Sequence, residues 1–169
     1  YFGAKRRILT REWEYYTNFL FGFCFLTPFF HKYYGFYPGK ELKIGSDNES
    51  TNSVLDTGKW ARVDGKWGKW CDYNDNYDYS ENYSKIPDES IPPTWHLAAI
   101  SDKMLGNPLD VKLWAAETRQ THKYTILSKA NGNKEDYDHV TMITGKHCDT
   151  DHFHEVSEWI YKHNNLKSI

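Results

Sequence analysis

The densest run of chemistry-bearing side chains is HCDTDHFHE, residues 147–155. His147, Cys148, Asp149, Asp151, His152, His154 and Glu155 include good ligand types for Zn²⁺ or Cu²⁺. On a helix, His147 would share a face with Asp151, and Cys148 with His152. Structural zinc draws two ligand pairs from separate segments; a second pair is missing here unless the lone His139 helps. His147, Cys148, His152 and His154 are therefore weak metal candidates, set against a solvated loop and helix cap. A second candidate is SIPPTWH, residues 90–96, where Pro92-Pro93 stiffens the backbone before Trp95 and His96. As a general base His96 would need a substrate pocket, none is legible around it, and a structural imidazole is the plainer reading. Asp72, Asn74, Asn76 and Asp78 alternate as in a Ca²⁺ loop but lack its central Gly and terminal Glu. There is no GxGxxG, Walker loop, GxSxG or HExxH. Cys24, Cys71 and Cys148 have no catalytic partner at motif spacing. The expectation is a chain with no catalytic residues and no bound cofactor.

Composition points the same way. Among 169 residues are 13 Tyr, 9 Phe and 7 Trp, yet mean hydropathy is only -0.79. With few aliphatic residues, a self-sufficient core is hard to build. Tyr and Trp are favoured at interfaces, so the rings are expected to grip a partner. A net charge of -2 gives no global reason to bind nucleic acid. Residues 1–11 carry Lys5, Arg6, Arg7 and Arg11 and no acid. Residues 72–89 are acidic. Three scattered cysteines without a CxxC argue against a disulfide framework and for a reducing compartment. No cleavable secretory signal is evident.

The expected fold class is α+β, small and extended. Residues 10–21 predict an N-terminal aromatic helix: Thr10 can cap, Glu12 and Glu14 sit in the first turn, and Trp13, Tyr16, Leu20 and Phe23 share a face. The apolar stretch 19–30 is too short to cross a bilayer, which takes about 20 residues. It suits either an interfacial helix or a protein groove. Asp64-Gly65 within 58–73 predicts a β hairpin carrying Trp60, Trp67 and Trp70. Residues 74–90 read as an irregular loop, and 91–104 as a rigid lead-in and short helix. Lys123–Leu127 predicts a short strand, Asn131-Gly132 a turn, and 151–165 a C-terminal helix with Phe153, Val156, Trp159 and Ile160 on one face. The chain divides into a basic, aromatic segment 1–34, a hairpin and Pro-Pro-x-Trp-His region 35–130, and an extension 131–169.

The ordered set Lys69-Trp70-Cys71-Asp72-Tyr73, a polar linker, Ile91-Pro92-Pro93-Thr94-Trp95-His96 and the tail to Pro108 resembles one family. That family is the alpha subcomplex subunit 12 of mitochondrial NADH:ubiquinone oxidoreductase (complex I) and its paralogous assembly factor. Thr121–Tyr124 and Val156–Ile160 resemble its later motifs. Thr94 stands where the family has an acid, and Ala98 where it has a second Trp. The resemblance implies a non-catalytic accessory subunit on the matrix side of the mitochondrial inner membrane. Its implied partners are complex I subunits, above all the ferredoxin-like iron–sulfur subunit of the matrix arm, with peripheral membrane contact. The resemblance also implies that the subunit binds no cofactor of its own, while the whole complex uses FMN and iron–sulfur clusters. The expected interface residues are Trp13, Phe19, Phe23, Trp60, Trp67, Trp70, Tyr73, Pro92, Pro93, Trp95, His96 and Trp159. Trp95 is expected to fill a partner groove, with His96 hydrogen-bonded at its edge. The alternatives are an assembly factor of the same family, or a small metal-binding domain built on residues 147–155.

Overall fold

The computed structural model describes residues 1–10, 13, 15–43, 47–61 and 69–163. They form a mixed helix and sheet protein with an N-terminal aromatic helix, a two-stranded antiparallel sheet and a C-terminal helix. The chain divides into two compact units, Arg6–Pro87 and Tyr1–Lys5 with Asp88–Ile169.

In the first unit, Tyr15–Phe25 forms a helix of the wide, i→i+5 kind. Rings four apart stack along it: Tyr15 on Phe19 at 5.4 Å and Phe19 on Phe23 at 6.0 Å. Helix α1 (Thr27–Tyr34) follows, with Pro28 in its first turn, where a missing N–H costs nothing. Strands β1 (Phe36–Tyr37) and β2 (Glu49–Ser50) pair antiparallel. Helix α2 spans Thr51–Ala61, so residues 58–61 end a helix and are not the first hairpin strand. The reason is visible in its buried positions: Thr51, Val54, Gly58 and Ala61 repeat at helical spacing. The expected turn at Asp64-Gly65, and Trp67, lie outside the described residues, as do Glu12 and Glu14.

The expected loop 74–90 also contains a helix, α3 (Tyr79–Ser84), because the Asp78 side chain accepts the Glu81 amide at 3.0 Å and caps it. The buried Lys59 ammonium binds the same region, donating to the Asp72 and Tyr73 carbonyls at 3.0 and 3.2 Å and pairing with Asp75 at 2.7 Å.

The second unit is built on parallel strands. Strand β3 (Trp95–Ala99) pairs with β4 (Lys123–Leu127) from Trp95↔Lys123 to Ala99↔Leu127. They are joined through α4 (Pro108–Glu117), capped by Asn107. On the other side of β3, Phe2 pairs parallel with Leu97, and the Gly3 amide donates to the Leu97 carbonyl at 2.8 Å. Residues 95–99 are thus a strand, where a helix was expected. All five are buried, so the run lacks the alternation that marks a half-exposed strand.

After β4 the chain turns at Gly132 in the left-handed region (φ 94°). It then forms α5 (Thr141–Thr144) and α6 (Phe153–His163). Phe153, Val156 and Trp159 of α6 pack on a core of Trp95, Leu97, Ala99, Leu127, Tyr137, Met142 and Cys148. Just ahead of α6, Asp151 accepts the Tyr137 hydroxyl at 2.8 Å and the Lys134 amide at 3.0 Å. Among the described residues, no helix is long and apolar enough to cross a membrane.

Candidate catalytic site

The carboxyl ends of parallel strands are where α/β sheets place their ligands. Here they bring together two residues that lie 37 positions apart. Beyond β3 the chain turns tightly, the Asp102 amide donating to the Ala99 carbonyl at 3.1 Å and the Ser101 amide to the Tyr137 carbonyl at 2.9 Å. This fixes Asp102 with its side chain only 3% exposed. Beyond β4, His139 sits between the fully buried Tyr137 and Met142. The neighbouring Asp138 accepts the Val140 and Thr141 amides at 2.9 and 2.8 Å, tying down the turn that carries the imidazole. Those amide bonds, Thr141's first, hold the Asp138 carboxyl below the usual carboxylate range.

His139 Nδ1 lies 2.7 Å from Asp102 Oδ2. A carboxylate only accepts, so Nδ1 carries a proton, and in the corresponding neutral tautomer Nε2 is left as a base. Among the described residues Nε2 has no hydrogen-bond partner, and the imidazole is 38% exposed. A buried acid orienting a half-exposed imidazole is the acid–base part of a nucleophilic relay. A cation stands near: burial lowers the Lys5 ammonium to about 8, while Asp110 and then Asp102 pull it back up.

No family model matches the chain, and no curated protein or solved structure matches it.

The residues singled out from sequence lie elsewhere. Trp95 is not a projecting peg: it is 4% exposed in its own core. Its Nε1 donates to Thr125 Oγ1 at 3.0 Å, Lys123 Nζ sits 3.4 Å over the ring, and Trp159 packs at 5.7 Å. His96 is 0% exposed and makes no edge hydrogen bond: among the described residues neither ring nitrogen has a hydrogen-bond partner. A strand at the centre of a sheet buries its side chains on both faces, which is why both expectations fail. Pro92 and Pro93 before them are exposed.

In the other unit Trp13 is 75% exposed and Tyr73 40%, Phe19 is buried, and Phe23, Trp60 and Trp70 are half-buried. Trp60 packs on Tyr79, and Trp70 on Tyr79 and Tyr83.

The metal candidates diverge. His147 pairs with Glu135 at 3.3 Å and His154 with Glu158 at 3.7 Å. The buried Cys148 donates to the Thr141 carbonyl at 3.1 Å, and His152 Nε2 meets the Met142 carbonyl at 2.8 Å. Among the described residues no group of three or more His, Cys, Asp or Glu is placed to hold a metal. Burial pushes the Cys71 and Cys148 thiols up, away from the reactive thiolate.

Sequence reasoning missed Asp102 and weighed His139 only as a spare ligand. The available signal was an acid just past one short apolar run and a histidine shortly after the next.

Proposed function

We propose that this chain carries the histidine and acid of a nucleophile–histidine–acid relay, serving ester hydrolysis or a related acyl transfer. The observation that carries it is the 2.7 Å contact between buried Asp102 and half-exposed His139 beyond the ends of parallel strands. Asp102 holds the tautomer and steadies the imidazolium; Nε2 takes the proton from a hydroxyl or water brought to it and returns it to the leaving group. By analogy, α/β-hydrolases order their triad along the chain as nucleophile, acid, histidine, and Asp102 precedes His139. This departs from the non-catalytic expectation. The test is cleavage of p-nitrophenyl esters of graded chain length. His139→Ala and Asp102→Asn are expected to lower kcat by roughly 10²–10⁴ with folding retained. Wild-type rates in both variants would sink the reading.

A second reading keeps the family resemblance: an accessory subunit of complex I, or its assembly factor, on the matrix side of the inner membrane. Its support is the exposed aromatic surface of the first unit, where Trp13, Phe21, Phe25, Phe29 and Tyr33 are each more than half exposed. Blue-native gels of mitochondria separate the readings. Comigration with NADH dehydrogenase activity supports the subunit, and presence only in intermediates supports the assembly factor.

A further inference from the structure

Resting on the relay just proposed, we infer that Gly3 and Gly106 are its positioning residues: two bare backbones clamp the Asp102–His139 hydrogen bond from its two ends. A side chain on Gly106 would place its Cβ 2.8 Å from Asp102 Oδ2, the oxygen that accepts from His139. The same Cβ would lie 2.7 Å from Gly3 Cα and 2.8 Å from the Gly3 carbonyl oxygen. A side chain on Gly3 would place its Cβ 3.1 Å from His139 Nδ1 and 3.2 Å from Cε1, as well as 2.9 Å from Met142 Cε.

The two glycines therefore touch each other, and each meets one partner of the same hydrogen bond. Gly3 cannot recoil freely. The Gly3 amide is held to the Leu97 carbonyl at 2.8 Å, inside the parallel sheet. Gly3 also sits at φ +59°, a conformation that a Cβ disfavours. Met142 is the one flexible neighbour, since its methyl is the far end of an unbranched chain. The absence of a Cβ at Gly3 and Gly106 leaves room for the hydrogen-bonded pose of the imidazole and carboxylate, and a side chain at either position would push one partner out of it. A misplacement of this kind near 1 Å is enough to cost about a hundredfold in rate.

The test uses the full chain, p-nitrophenyl butyrate and the low-field proton NMR resonance of the Nδ1–H bonded to the carboxylate. Gly106→Ala is expected to lose that resonance and at least about a hundredfold in kcat with KM little changed. Gly3→Ala combined with Met142→Ala, which removes one of the three clashes, is expected to fold and to lose the resonance as well. Gly22→Ala, whose Cβ meets only the Thr17 carbonyl at an ordinary 3.5 Å, is the control and keeps both. A folded Gly106→Ala or Gly3→Ala/Met142→Ala that keeps the resonance and the wild-type kcat overturns the clamp and leaves the relay standing. A wild-type chain that shows the resonance yet cleaves no ester overturns the relay and leaves the clamp standing.

Discussion

At the scale of residues, the two histidines read from the same sequence do opposite things. His139 is paired and half-exposed; His96 is buried, with no hydrogen-bond partner for either nitrogen among the described residues. Burial drives His96 down to about 4 from 6.5. As pH falls, the unfolded chain takes up the proton first, so the stability tied to neutral His96 is whole above about 6.5 and lost as pH approaches 4. Thermal unfolding between pH 7 and pH 4 should show Tm falling through this window, and His96→Leu should flatten the fall. An equal slope in both proteins would refute the assignment. Trp95 is the other buried residue with a new role. Removing an indole so enclosed should cost about 3–5 kcal/mol, measured by urea unfolding of Trp95→Ala. A loss below about 1 kcal/mol would return the ring to the surface. Trp95 was legible as an anchor, since its size and rigid Pro92-Pro93 approach are local facts. What it anchors is its own sheet, and no local fact says so.

At the scale of elements, α6 was readable because one face of a surface helix repeats every three or four residues, and Phe153, Val156 and Trp159 do repeat so. Strand β4 was readable from its β-branched and aromatic residues. Strand β3 was not: WHLAA is short, apolar and alanine-rich, which suits a helix until a partner is found on both sides. Asp64-Gly65 and the tryptophans around it drew attention to a hairpin, while the better signal for 51–61 was the helical spacing of Thr51, Val54, Gly58 and Ala61. The crossover helix α4 carries the element-level prediction. Asn107 accepts the Leu109 amide at 3.0 Å, and Pro108 opens the first turn. Asn107→Ala should lose about 1 kcal/mol in denaturant unfolding. A variant as stable as wild type would show that water caps this helix equally well.

At the scale of the whole molecule, the aromatic content divides by unit. In Arg6–Pro87 much of it stays outward, on Phe21, Phe25, Phe29 and Tyr33. In the unit with the parallel strands it turns inward, on Trp95 and Tyr137. The composition was therefore an incomplete guide: the same ring types serve both as surface, on Phe21 and Phe25, and as core, on Tyr15, Phe19 and Trp95. The metal-type residues show the same limit. Each of His147, Cys148, His152 and His154 already has a protein partner. Dialysis against EDTA should leave Tm unchanged, and stoichiometric zinc in elemental analysis would contradict that expectation.

What the sequence alone determined is local: the helical period of α6, the short strand β4, the Asn131-Gly132 turn and the α+β class. These follow from interactions between residues a few positions apart, which spacing displays directly. The tertiary structure alone decided which acid meets which histidine. Asp102 and His139 are neighbours because the turn after β3 meets the segment that follows β4, the Ser101 amide donating to the Tyr137 carbonyl at 2.9 Å, a contact between distant parts of the chain that carries no local signature.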